Sequence, residues 1–91
     1  MTRKELDICE KAVRTYGYDA QRLMLFEEIG ELLNAIAKLS RGRSTSDDVI
    51  EELADVAIMV NQMAIIYGWL KFHSVKAKKL QRLQERLNKH Q

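Results

Sequence analysis

The stretch "EEIGELLNAI", Glu27 to Ile36, places Ile29, Leu32 and Ile36 on one narrow stripe together with the preceding Leu25, at the spacing of an amphipathic helix. Three carboxylates, Glu27, Glu28 and Glu31, crowd that stripe. A second stretch, "EELADVAIMV" from Glu51 to Val60, repeats the pattern. At about 100° per residue, Glu28 falls about 40° from Leu32, and Glu31 lies one step further round. Gln21, Met24, Glu28, Glu31, Ala35 and Lys38 then form a 3-4-3-4-3 seam at the margin of the apolar face. In the second stretch Val49, Leu53, Val56, Met59, Val60 and Met63 make the apolar arc. Glu52 points inside that arc and Asp55 lies on its border, whereas Glu27 and Glu51 point to solvent.

Two such helices set an all-α reading, and the flanking sequence extends it to four. A short amphipathic helix is expected over residues 3–15 on Leu6, Cys9 and Val13, with Gly17 as its breaker. Asp19 is expected to cap a second helix reaching to about Ser40. Gly42 turns the connector "SRGRSTSDD", and Thr45 with Asp48 has capping-box spacing for a third helix from about Asp47 to Tyr67. Past Gly68, Leu80, Leu83 and Leu87 recur at helical spacing among basic residues. The absence of proline, with 4 glycines, suits long helices and counts against a turn-rich β fold.

At 91 residues the chain is expected to be one four-helix-bundle-type domain, residues 1–91, whose modest core favours completion by a second copy. A composition of 46% hydrophobic and 31% charged residues is that of a globular protein and argues against intrinsic disorder. No apolar run approaches the ~20 residues of a membrane span. The start "MTRKELDICE" lacks the apolar core of a secretion signal, and Cys9 alone allows no internal disulfide. A cytoplasmic protein is the expectation. Charge is unevenly spread: residues 27–55 hold eight acids against three bases, net −5, and residues 71–91 hold seven bases against one acid, net +6.

A tight antiparallel pairing of the two central helices would bring Glu28, Glu31, Glu52 and Asp55 to one depth, since Glu31 and Asp55 each lie about 13 Å from the connecting loop. Carboxylates gathered in a partly dry place repel one another and resist ionisation. A divalent cation resolves both costs. Oxygen-only donors on rigid helices suit Mg²⁺ or Mn²⁺, and the lack of a His/Cys cluster argues against zinc. Pairing of these acids with Lys or Arg from elsewhere is the structural alternative.

The spacing Glu28-x-x-Glu31, twenty intervening residues, then Glu52-x-x-Asp55, within "EEIGELLNAI" and "EELADVAIMVNQM", resembles the signature of the MazG-like nucleoside triphosphate pyrophosphohydrolases. The resemblance covers Tyr16 to Tyr67 well, and the basic "KAKKLQRLQER" more loosely. It implies an all-α enzyme that cleaves a nucleoside triphosphate between its α- and β-phosphates, giving a monophosphate and pyrophosphate, as in house-cleaning of the nucleotide pool. Carried over by position, Glu28, Glu31, Glu52 and Asp55 would hold Mg²⁺, with Glu28 or Glu31 also orienting the attacking water. The resemblance further implies a homodimer or homotetramer in which part of each site comes from a partner.

The polyphosphate needs cations, and candidates are Lys38 on the glutamate seam and Lys79, Arg82 and Arg86 on one stripe of the last helix. Gln21 and Asn61 are candidates to read a base edge, with Trp69 or Tyr16 to stack on it. Sister activities on dUTP or phosphoribosyl-ATP fit the same residues. A non-catalytic helical module that oligomerises or binds nucleic acid through the basic tail is the competing class. It has no recognised DNA-binding pattern and few aromatics for base stacking.

Overall fold

A computed structural model describes residues 2–90, which form four α-helices and, among the described residues, no strand. Helix α1 spans Arg3–Tyr16, and its start is fixed by a capping box in which Thr2 and Glu5 each accept the other's backbone N–H. Gly17, at φ 90°, ends α1 and leads directly into α2, Tyr18–Ser40. Such a one-residue joint leaves no space for a side-chain cap, and Asp19 does not cap α2. Its carboxylate instead accepts from Arg22 at 2.9 Å, one turn into the helix. Helix α3 spans Ser46–Tyr67 and begins with the expected Thr45–Asp48 capping box. Gly68, at φ 142°, breaks the chain before α4, Trp69–Lys89.

The main packing is the α2–α3 hairpin. Helix α1 lies across both, burying Cys9 and Val13, while α4 touches α3 alone and buries no residue of its own. Burial, and secondarily Glu5, push the Cys9 thiol above its ordinary pKa, which suits a packed, unreactive cysteine. The Cα radius of gyration is 15.9 Å, against about 12 Å for a compact domain of this length. The excess comes from α4, whose later turns leave the body.

Along the hairpin, Gln21, Leu25, Glu28, Leu32 and Ala35 of α2 face Val49, Glu52, Val56, Met59, Met63 and Ile66 of α3, all buried or half-buried. Both rows run at alternating 3/4 spacing, the repeat of a coiled-coil seam. This rotates α2 from the orientation expected from its apolar stripe. Leu25 and Leu32 pack inward, but Ile29 is 38% exposed and Ile36 47%. The physical reason is that α2 carries two adjacent faces able to pack, and the hairpin uses the row containing Gln21, Glu28 and Ala35. Gln21 donates from Nε2 to Oε1 of Gln62, with both side chains buried, so the polar pair is satisfied inside the seam. The leftover apolar stripe remains on the surface with Leu33, Leu39, Ile50, Leu53 and the α4 leucines.

Candidate metal centre

The seam that packs Leu32 and Met59 also aims two acids at each other. Glu28 comes from the middle of α2 and Glu52 from the second turn of α3, both half-buried. Each turns one carboxylate oxygen, Oε2, into a position sealed from solvent where no donor meets it. Glu31, one turn beyond Glu28 on α2, stands exposed at the rim. Glu28, Glu31 and Glu52 each offer an oxygen to a space in which these atoms lie within 4.8 Å of one another. Asp55 does not join that group, but its charge reaches both buried acids. Burial first, then Glu31, Asp55 and Glu52, push Glu28 above its ordinary pKa. Burial, then Glu31 and Asp55, raise Glu52 in the same way.

No cation among the described residues relieves this arrangement. Among the described residues the ion pairs are Arg3–Asp7 and Arg22–Asp19, both away from the cluster. Unpaired, hydrogen-bond-deficient carboxylate oxygens in a dry seam are costly unless protonated or bound to a cation. The donor set is oxygen only and held on rigid helices, so it fits a hard divalent ion of the Mg²⁺ or Mn²⁺ kind.

A cleft of about 270 Å³ opens beside the cluster, lined by Glu31, Asn34, Ala35, Lys38, Arg43, Ser44, Asp48 and Glu52. Lys38 therefore stands where the sequence puts it, on the same wall as the glutamates. Asn34, Arg43 and Ser44 were not singled out by the sequence reading. For Arg43 and the adjoining Ser44 a signal was present in "KLSRGR", where a glycine just past the helix end folds the following residues back on the last turn. Gln21 and Asn61 do not line this cleft, and Gln21 is committed to Gln62. Lys79, Arg82 and Arg86 are exposed on α4, which makes no packing contact with α2, so one chain does not bring them to the carboxylates. Trp69 packs edge-on against His73, with ring centroids 4.2 Å apart, at the start of α4.

The all-α hairpin thus sets clustered acids on facing helices beside a wall that carries Lys38 and Arg43. The model of the MazG nucleotide pyrophosphohydrolase domain matches residues 17–90, and the chain belongs to that family. No curated protein and no solved structure matches the chain significantly.

Proposed function

We propose that this protein, as one domain over residues 1–91, is a Mg²⁺-dependent nucleoside triphosphate pyrophosphohydrolase that releases a monophosphate and pyrophosphate. The observation that carries the reading is the pair of partnerless buried oxygens on Glu28 and Glu52, within reach of Glu31. Glu28, Glu31 and Glu52 would hold the ion, and Asp55, whose charge already acts on Glu28 and Glu52, would join them as a ligand. When bound, Mg²⁺ or Mn²⁺ supplies charge neutralisation to the carboxylates and to the phosphate oxygens. Glu31, exposed at the rim, orients a water toward the α-phosphorus and accepts its proton, with Glu28 behind it. A P–O bond forms to that water, and the bond to the α,β-bridging oxygen breaks. The pyrophosphate leaves toward the Lys38 side of the cleft.

A second copy of the chain is part of the reading. The α4 leucines and the stripe of Ile29 and Ile36 are exposed apolar surfaces on a chain with a small buried core. Their pairing between copies in a homodimer or homotetramer would also carry the α4 stripe of Lys79, Arg82 and Arg86 to a neighbour's phosphates. Among the described residues no helix is long and apolar enough to cross a membrane. The test is a nucleotide panel with Mg²⁺, repeated with chelator. Metal-dependent pyrophosphate release is expected, and release of orthophosphate alone would overturn the reading.

A further inference from the structure

The end of α2 folds in a way that brings two cations to one cleft. Gly42, in the left-handed region at φ 71°, donates its N–H to the Leu39 carbonyl at 3.0 Å. Arg43 donates its N–H to the Lys38 carbonyl at 2.8 Å. This pair of bonds is the Schellman motif, with Lys38 third from the helix end and Arg43 just past the glycine. Residues at those two positions are side-chain neighbours, and the contact between them is commonly apolar. Here both are positively charged. The next residue is tied down as well, because Ser44 Oγ donates to the Ala35 carbonyl at 2.8 Å. The Arg43 backbone is thus held between two anchors, on the wall that also carries Asn34, Glu31 and Glu52.

Neither Lys38 nor Arg43 forms an ion pair among the described residues, and Asp48 of the same cleft is turned to the Thr45 backbone N–H. The negative end of the α2 dipole favours cations here. It does not account for two of them on one concave wall beside the glutamates. The cleft, about 270 Å³, falls below the ~300–1,000 Å³ of sites that enclose whole small molecules. It suits a short polyanion, with a nucleoside left outside it.

We propose that Lys38 and Arg43 form the subsite for the diphosphate end of the substrate. The triphosphate then runs from the carboxylate cluster toward the α2–α3 connector, with the nucleoside on the Glu28 and Asp55 side. This rests on the pyrophosphohydrolase reading for the substrate, but the subsite is measurable without turnover. Asn34 and Ser44 complete its polar wall, and Arg43 is the residue that sets the direction of the chain of phosphates.

The experiment is calorimetric titration of inorganic pyrophosphate and of a nucleoside monophosphate, each with Mg²⁺, into wild type, Arg43→Gln and Arg43→Lys. Arg43→Gln is expected to weaken pyrophosphate about tenfold or more, the loss of one charge-assisted contact, while leaving the monophosphate within about twofold. Arg43→Lys is expected to recover only part, because a point charge lacks the guanidinium fork. Circular dichroism checks that each variant keeps its helices. Unchanged pyrophosphate affinity in Arg43→Gln overturns the subsite, as does equal weakening of both ligands or a wild type that binds no pyrophosphate. If wild type binds pyrophosphate through Arg43 yet releases none from any nucleotide, the reaction reading fails and the subsite stands.

Discussion

Glu28 and Glu52 meet across the α2–α3 seam at positions that a coiled coil fills with leucine or isoleucine, each with one oxygen sealed in and unbonded. Two acids at such positions weaken the hairpin in the absence of a ligand. Their neighbours Leu25, Leu32, Val56 and Met59 hold the helices together around them. The site is therefore preorganised by packing on both sides, and a cation bound there would stabilise the fold directly.

Glu52→Gln removes one of the two sealed charges while keeping the side-chain volume. Turnover should fall by at least about a hundredfold, since even residues that only support a metal ligand cost 10–100-fold when lost. In chelator the variant should melt at or above the wild-type temperature, because carboxylate repulsion is relieved. A large drop in melting temperature without metal would instead reveal a structural ion pair.

The raised pKa values of Glu28 and Glu52 set a direction for pH dependence. Both groups hold protons in the folded chain to higher pH than in the unfolded one, whose ordinary value is 4.5. Their contribution to stability is thus fully present below about pH 4.5 and is lost as pH rises through the raised values. Metal-free protein should show a downward component in melting temperature across that interval. Saturating Mg²⁺ should remove it at neutral pH, and Mg²⁺ affinity should rise with pH as protons leave. A metal-free melting temperature that climbs through the same interval in wild type, and does so equally in a Glu28→Gln/Glu52→Gln variant, would contradict this.

Helix positions were legible in the sequence because punctuation fixed them. Gly17, Gly42 and Gly68 separate the elements, and the Thr45–Asp48 box starts α3 one residue before its expected first position. The acids Glu28, Glu31 and Glu52 were legible from helical phase alone, and they converge. Three features were not. The rotation of α2 depends on a choice between two packable faces, which periodicity within one helix cannot make. Asp19 was displaced as a cap by the single-residue joint at Gly17. Arg43 escaped because it lies past the helix end, where helical phase no longer applies and only the glycine-dependent fold-back brings it beside Lys38.

The buried Gln21–Gln62 pair separates a packing role from a base-reading one. Gln21 is 6% exposed and Gln62 5%, so either single change to leucine strands a buried amide. Each single variant should lose about 1–3 kcal/mol in denaturant unfolding. The double variant Gln21→Leu/Gln62→Leu should recover most of that loss, since both polar partners are then gone. Discrimination among nucleotides should be the same in the double variant as in wild type. A shift in base preference there would show that Gln21 contacts substrate after all.

The exposed faces of α2 and α4 give the last expectation. Helix α4 touches only α3 and has no fully buried residue, so packing within its own chain supports little of its 21-residue length. Leu80, Leu83 and Leu87 on α4, and Ile29 and Ile36 on α2, therefore call for a covering partner, and another copy supplies complementary surfaces of opposite charge balance. Light scattering on wild type should report two or four chain masses. Ile36→Glu and Leu83→Glu should each drive the protein toward monomer, with loss of helical signal from α4 and much weaker binding of triphosphate. Glu31→Gln, which lies at the metal rim, should leave the mass unchanged. A monomeric wild type with α4 fully helical on dilution would leave these leucines without a function in assembly and would return Lys79, Arg82 and Arg86 to the role of a solvated face.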